Sequence, residues 1–288
     1  MKPLNFLPLL LAMCSVGTAQ LSVEVVLDQE QYLPGEAIVA RVRVANFSGQ
    51  TLGFGDSDDW LVFNVESRDG YVIEKIAEVP VAGKFELESS STATKRVDLA
   101  PYFTVNKPGR YVVSAVVKVR QWDREWGSKN AGFNVIRGVK LWEQDAGIPK
   151  AGGGEPELRK YALLQANYLK QLTLYVRVSD ADEVRLFKVA PIGPLVSFSK
   201  PEGQVDKVSN LHVLWQVGAR SFQYLVLNPE GETIVRQTHE YGQTRPALRA
   251  DDSGGVVVAG GVRRETPRDL PAKLDAVEPA PKAPVAPQ

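Results

Sequence analysis

From Leu21 to Arg137 apolar and polar residues alternate in short runs, each closed by turn-forming residues, with no helical spacing between them. The clearest run is Glu36 to Ala45. Ile38, Ala40, Val42 and Val44 share one side of it, while Arg41 and Arg43 share the other, so one face suits a core and the other suits water. Ser22 to Leu27, Trp60 to Val65, Tyr71 to Ile76, Ser91 to Leu99, Arg110 to Arg120 and Ala131 to Ile136 continue the series. So many short strands in little over a hundred residues predict a β-sandwich over residues 20–137.

The pattern then breaks. Gly138 to Glu157 contains Gly147, Pro149, the run Gly152-Gly153-Gly154 and Pro156, and reads as a linker. Leu158 to Gln171 fits helix and strand alike; the alternation of Tyr161, Leu163 and Gln165 leading into Leu172 to Val178 favours a hairpin. A weak internal repeat follows. Leu172, Leu174, Val176 and Val178, a polar turn at Ser179 to Glu183, and Val184 to Val189 share their layout with a second set. That set is Leu211, Val213, Trp215 and Val217, a turn at Gly218 to Ser221, and Phe222 to Leu227. The offset, from Leu172 to Leu211, is 39 residues, close to the ~40 of a four-stranded propeller blade. A poorer third copy begins near Leu248 and includes Val256 to Ala259. Residues 158–262 hold fewer than three such units, and a closed ring needs about four. The expected fold is therefore all-β, a sandwich followed by a smaller β-meander or incomplete propeller-like domain. Arg263 to Gln288 shifts to Pro, Ala and charge and is expected to be a disordered tail.

Three short motifs carry family resemblances. Tyr32-Leu33-Pro34-Gly35-Glu36, then an alternating strand and Asn46, resembles the opening of many bacterial Ig-like and fibronectin-like domains. Proline presets φ for that turn and glycine supplies a positive φ beside it. Lys107-Pro108-Gly109-Arg110-Tyr111, leading into Val112 to Val119, is similar to the corner tyrosine of Ig-like sandwiches, which implies a hydroxyl returned to nearby backbone. Leu211-His212-Val213-Leu214-Trp215-Gln216, with Asn228-Pro229-Glu230-Gly231, resembles a blade of sialidase-type propellers. These resemblances imply folds and leave function to the site residues.

The N-terminus changes the picture of location. Lys2 precedes an apolar run from Leu4 to Met13, and Gly17 and Ala19 then occupy the positions a leader peptidase reads before Gln20. Residues 1–19 are thus expected to be a signal peptide and the product periplasmic or extracellular. Leu11-Ala12-Met13-Cys14 resembles a lipoprotein signal, but Met13 stands where that pattern has a small residue. Cys14 is the only cysteine, so cleavage after Ala19 leaves no disulfide, cysteine nucleophile or thiolate metal site. The apolar run is shorter than the ~20 residues that span a bilayer, so no transmembrane segment is expected. Lys plus Arg and Asp plus Glu number 34 each and are interspersed, which gives no field favouring nucleic acid.

Candidate chemistry is sparse. The two histidines, His212 and His239, lie outside any catalytic motif; His212 reads as a half-exposed strand residue facing away from Leu211, Val213 and Trp215. Asp56, Asp58 and Asp59 form the densest carboxylate cluster, without calcium-loop spacing, and read as a solvated turn. Asn46-Phe47-Ser48 matches a glycosylation sequon. No catalytic residue, metal site or cofactor is assigned.

The residues nominated for binding are Trp122, Asp123, Arg124 and Trp126, in the turn after the strand Arg110 to Arg120. Indole faces beside Asp and Arg can stack on a sugar or anchor a protein partner. Alternatively, the indoles fold back to cap the sandwich, and the expected compromise is one structural tryptophan with Trp126 exposed. The leading expectation is an exported, non-enzymatic binding or structural module acting through sandwich loops on a protein or glycan partner. The alternatives are a carbohydrate-binding or carbohydrate-processing accessory protein with a degenerate propeller, and an inhibitor of extracellular proteases.

Overall fold

The computed structural model describes residues 20–148 and 154–271. The expected signal peptide with Cys14, the glycines 152 and 153 and residues 272–288 lie outside the described residues. The chain is all-β: three short 3-10 turns are the only helical segments among the described residues, and no helix there is long and apolar enough to cross a membrane.

The first ten strands are β1 (Leu21–Leu27), β2 (Gln31–Tyr32), β3 (Val39–Asn46), β4 (Leu52–Phe54), β5 (Leu61–Ser67), β6 (Phe85–Leu87), β7 (Thr92–Asp98), β8 (Gly109–Val119), β9 (Arg124–Gly127) and β10 (Ala131–Val135). β1, β3 and β7 form one antiparallel sheet. The second runs β2-β10-β8-β5, with β2 parallel to β10 and β9 continuing the β10 edge of β8. The two sheets enclose one core built from residues of both, including Val42, Val44, Phe63, Val113 and Ala115. The expected alternation of β3 is observed: Ile38, Ala40, Val42 and Val44 are buried while Arg41 and Arg43 face solvent.

Two local motifs form as anticipated. Glu36 N donates to Leu33 O at 3.0 Å across the Pro34-Gly35 turn, and Gly35 has φ +82°, a region closed to most L-residues. Tyr111 Oη donates to Lys107 O at 2.6 Å, the corner hydrogen bond. The expected strand Tyr71 to Ile76 does not form. Its backbone meets a neighbour only around Glu74 and Ile76, which pair with Thr104 and Tyr102, and Val72 and Ile76 remain exposed. Alternation without a facing strand makes no ladder.

Eleven further strands follow: β11 (Val139–Ile148), β12 (Glu157–Tyr168), β13 (Gln171–Asp180), β14 (Leu186–Pro194), β15 (Glu202–Val205), β16 (Leu211–Gln216), β17 (Ser221–Leu227), β18 (Thr233–Glu240), β19 (Ala247–Ala250), β20 (Val256–Ala259) and β21 (Val262–Arg264). β11 corrects the linker reading of residues 139–148, since it pairs along β12 from Val139 to Ile148. The ambiguous segment Leu158 to Gln171 supplies strand β12, which forms a hairpin with β13. Residues 263–271, expected in the disordered tail, are ordered: β21 pairs with β18, and Leu270 exchanges backbone hydrogen bonds with Arg236.

These strands build two antiparallel sheets, β11-β12-β13-β14 and β15-β16-β17-β18-β21, and a separate hairpin β19-β20. The sheets bury Tyr161, Leu163, Val176, Val213, Trp215 and Leu225 between them. Leu33 and Ile136 from the first half cover the outer face of the β11–β14 sheet at Leu164, Ala166 and Tyr175. The hairpin covers the far face of the second sheet at Leu214, Phe222 and Tyr224. The result is a stack of layers, none closed into a barrel.

A recurrent turn went unread in the sequence. Asp180, Asp206, Asn228 and Asp251 each accept, through Oδ1, the backbone N–H four residues ahead, at 2.8 Å in every case. The residue three ahead has positive φ each time: Glu183, Ser209, Gly231 and Gly254. These Asx-stabilised turns close β13-β14, β15-β16, β17-β18 and β19-β20, and cross-links such as Tyr161 Oη to Ser209 O (2.6 Å) and Lys207 Nζ to Ser253 O (2.7 Å) tie that end of the stack together. The 39-residue offset instead matches the third strand of one sheet to the second of the next, joining turns from opposite ends.

Candidate functional site

Trp122 ends a 3-10 turn, Arg120–Trp122; Asp123 follows in the left-handed region at φ 48°, and Arg124 opens β9. The two indoles meet edge to face at 5.4 Å and 61°, and both are half-buried against the sandwich core. The expectation of one structural and one exposed tryptophan, with Trp126 outside, is corrected. β9 pairs Trp126 with Val117, whose side chain is fully buried, and directly paired residues project from the same face. Gln121 Oε1 accepts from Gly53 N, and Arg120 ion-pairs with Asp59 at 2.8 Å, so the loop is fastened down as a cap. Asp123 and Arg124 remain exposed.

The other nominated features are structural. Asp58 accepts from Ala82 N at 2.9 Å, Asp56 ion-pairs with Lys84, and Ser57 and then Arg120 hold the Asp59 carboxyl below the usual range. Among the described residues no group of three His, Cys, Asp or Glu could hold a metal. Asn46 of the sequon is fully buried, and its Nδ2 donates to Gln50 O and Leu87 O at 2.7 and 2.9 Å.

His212 departs from its half-exposed reading and is buried. Its Nε2 meets Asp206 Oδ2 at 3.1 Å and its Nδ1 meets Tyr224 Oη at 2.7 Å. The carboxylate can only accept, so Nε2 carries a proton; in the neutral ring Nδ1 then accepts from the tyrosine hydroxyl. Burial alone would raise the Asp206 pKa, but hydrogen bonds from His212 and Asn210 outweigh it and leave the group below the usual range; burial pushes Tyr224 up to about 12. His239 packs edge-on to Tyr224, ring centres 6.1 Å apart. Both histidines therefore lie in the layer beneath the β19-β20 hairpin.

Burial, reinforced by Arg263 and opposed by Asp269, depresses the His239 pKa. A group depressed in the fold contributes stability that is complete above its unfolded pKa of about 6.5 and is lost as pH falls below it. The melting temperature is expected to drop between about pH 7 and pH 5, and His239→Gln to flatten that drop; an unchanged slope would assign it to other groups.

The opposite face of the same sheet carries an open site. Trp215 pairs with Gln223, Gln223 with Thr238 and Thr238 with Arg264, so these four side chains form a row across β16, β17, β18 and β21. Gln223 Nε2 donates to Thr238 Oγ1 at 2.9 Å, and Trp215 Nε1 donates to Pro194 O at 3.0 Å. Where the row faces Ile192, Gly193 and Pro194 of β14, the two sheets part around a cleft of about 690 Å³. Residues Glu265 to Arg268 border it, and Arg236 lines it from β18. That volume lies within the roughly 300–1,000 Å³ of small-molecule sites. The cleft lies at the end of the stack away from the four Asx turns. It was missed in the sequence because its row is drawn from four strands and its arginines fall partly in the segment read as tail.

Comparison of the chain with protein-family models, curated proteins and solved structures returned no match.

Proposed function

We propose that the chain is an exported, non-enzymatic binding module in which an Ig-like sandwich supports a blade-like stack and the inter-sheet cleft takes a small ligand. The observation that carries this reading is the row Trp215, Gln223, Thr238 and Arg264, which replaces apolar core with polar and aromatic groups where the sheets part. A cavity with an apolar wall and a few convergent polar groups is the usual form of a ligand site. The non-enzymatic part is supported by the two histidines, which are engaged on the other side of the sheet. The cleft takes the place of the sandwich loops as the binding surface, because Trp122 and Trp126 cover each other and the core.

A screen of neutral and charged sugars, amino acids and short peptides by native mass spectrometry tests this. Gln223→Trp should fill the cleft and abolish any binding, while Trp122→Ala with Trp126→Ala should leave it intact. The reverse pattern would return the site to the sandwich loops.

A further inference from the structure

Resting on the cleft reading, we infer that the ligand is a small carboxylate-bearing molecule whose acid group is held by Arg236 and Arg268. Arg236 is half-buried in mid-β18, on the cleft face, directly opposite Leu225, whose side chain belongs to the inter-sheet core. Its backbone is fixed on both sides of the peptide by Leu270. The two arginines of β21 beside the cleft have carboxylate partners: Arg263 has Asp269 and Arg264 has Glu240. Among the described residues Arg236 has no such partner, and neither does Arg268, which lines the same cleft from the segment that Leu270 anchors. Glu265 also lines the cleft and has an interaction of its own.

Arg236 is half-buried and Arg268 exposed, and two like charges lining one cavity repel. An acid group between the two offsets that repulsion. The planar fork of arginine matches a carboxylate with two parallel hydrogen bonds. The rest of the ligand meets Trp215, Ile192 and Pro194, and so presents ring or side-chain faces to them. Two sources supply this chemistry: a uronic-acid sugar, or an amino acid or peptide C-terminus.

Calorimetric titration of the full chain with two matched pairs decides the matter. One pair is trigalacturonic acid against neutral galactotriose; the other is a tripeptide with a free against an amidated C-terminus. The expected result is that at least one acidic member binds, that its neutral counterpart binds at least ~10-fold more weakly, and that binding weakens as NaCl is raised. Arg236→Gln and Arg268→Gln should each weaken it at least ~10-fold while the melting temperature is unchanged or higher, since each removes an unpaired charge rather than a structural contact. Which pair responds identifies the source. Equal binding of neutral and acidic members, unaffected by either substitution but abolished by Gln223→Trp, would overturn the acid-group inference and keep the cleft. Binding that survives Gln223→Trp, or no binding by any of the four, would overturn the inference as well, and the first of these would also remove the cleft.

Discussion

Trp215→Ala is expected to destabilise the protein by about 3 to 5 kcal/mol, the usual cost of deleting a large core aromatic. Trp215 is 2% exposed, fills the end of the core between the two C-terminal sheets and donates Nε1–H to Pro194 O. The truncation opens a cavity next to the cleft and leaves the Pro194 carbonyl without its donor. For a chain of this length the loss corresponds to a fall of roughly ten degrees in melting temperature. Trp215→Phe retains most of the buried area, loses only the hydrogen bond and should cost less than half as much. Thermal melts followed by circular dichroism check both variants. A fall of under three degrees for Trp215→Ala would mean that the two sheets do not share this core.

The second large effect is expected at Asn46. Its carboxamide makes four hydrogen bonds: Nδ2 to Gln50 O and Leu87 O, and Oδ1 from Ser48 N and Ser48 Oγ. Asn46→Ala removes all four from a buried site, at an expected cost of about 2 to 4 kcal/mol. Asn46→Asp keeps the acceptors for Ser48 but loses both donors and buries a charge, so it should be no better tolerated. The same geometry makes the sequon silent, because the nitrogen a glycosyl transfer would modify is sealed in the core. Intact mass of chain secreted from a glycosylating host should show no glycan at Asn46, and a denaturant midpoint near that of wild type for Asn46→Ala would contradict the structural role.

What was legible in the sequence was local. The β3 alternation, the Pro34-Gly35 turn and the Tyr111 corner each depend on residues within a few positions of one another, and each formed as read. Tyr71 to Ile76 alternates too, yet a strand needs a partner along its length and the fold supplies one only from Glu74 to Ile76. β11 was hidden for the opposite reason. As an edge strand with few buried positions it has no strong alternation, and Gly147 and Pro149 suggested a linker, but β12 completes it. The Asx turns carry a signal that was readable in principle: an Asp or Asn with a residue suited to positive φ three positions on, as in Asn228-Pro229-Glu230-Gly231 and Asp251-Asp252-Ser253-Gly254. His212 looked half-exposed because nothing nearby in sequence announces that β19-β20 folds over it. The cleft was illegible for the same reason on a larger scale, since its lining residues come together only through the pairing of β16, β17, β18 and β21.

Hydrogen exchange on the wild-type chain, with and without saturating trigalacturonic acid or free-carboxylate tripeptide, whichever binds, tests the central claim most directly. The account predicts slowed exchange at residues 192–194, 215–217, 223, 236–238 and 264–268, the segments that line the cleft. Protection confined to residues 120–127, around Trp122 and Trp126, would contradict it and move the binding surface to the sandwich loops.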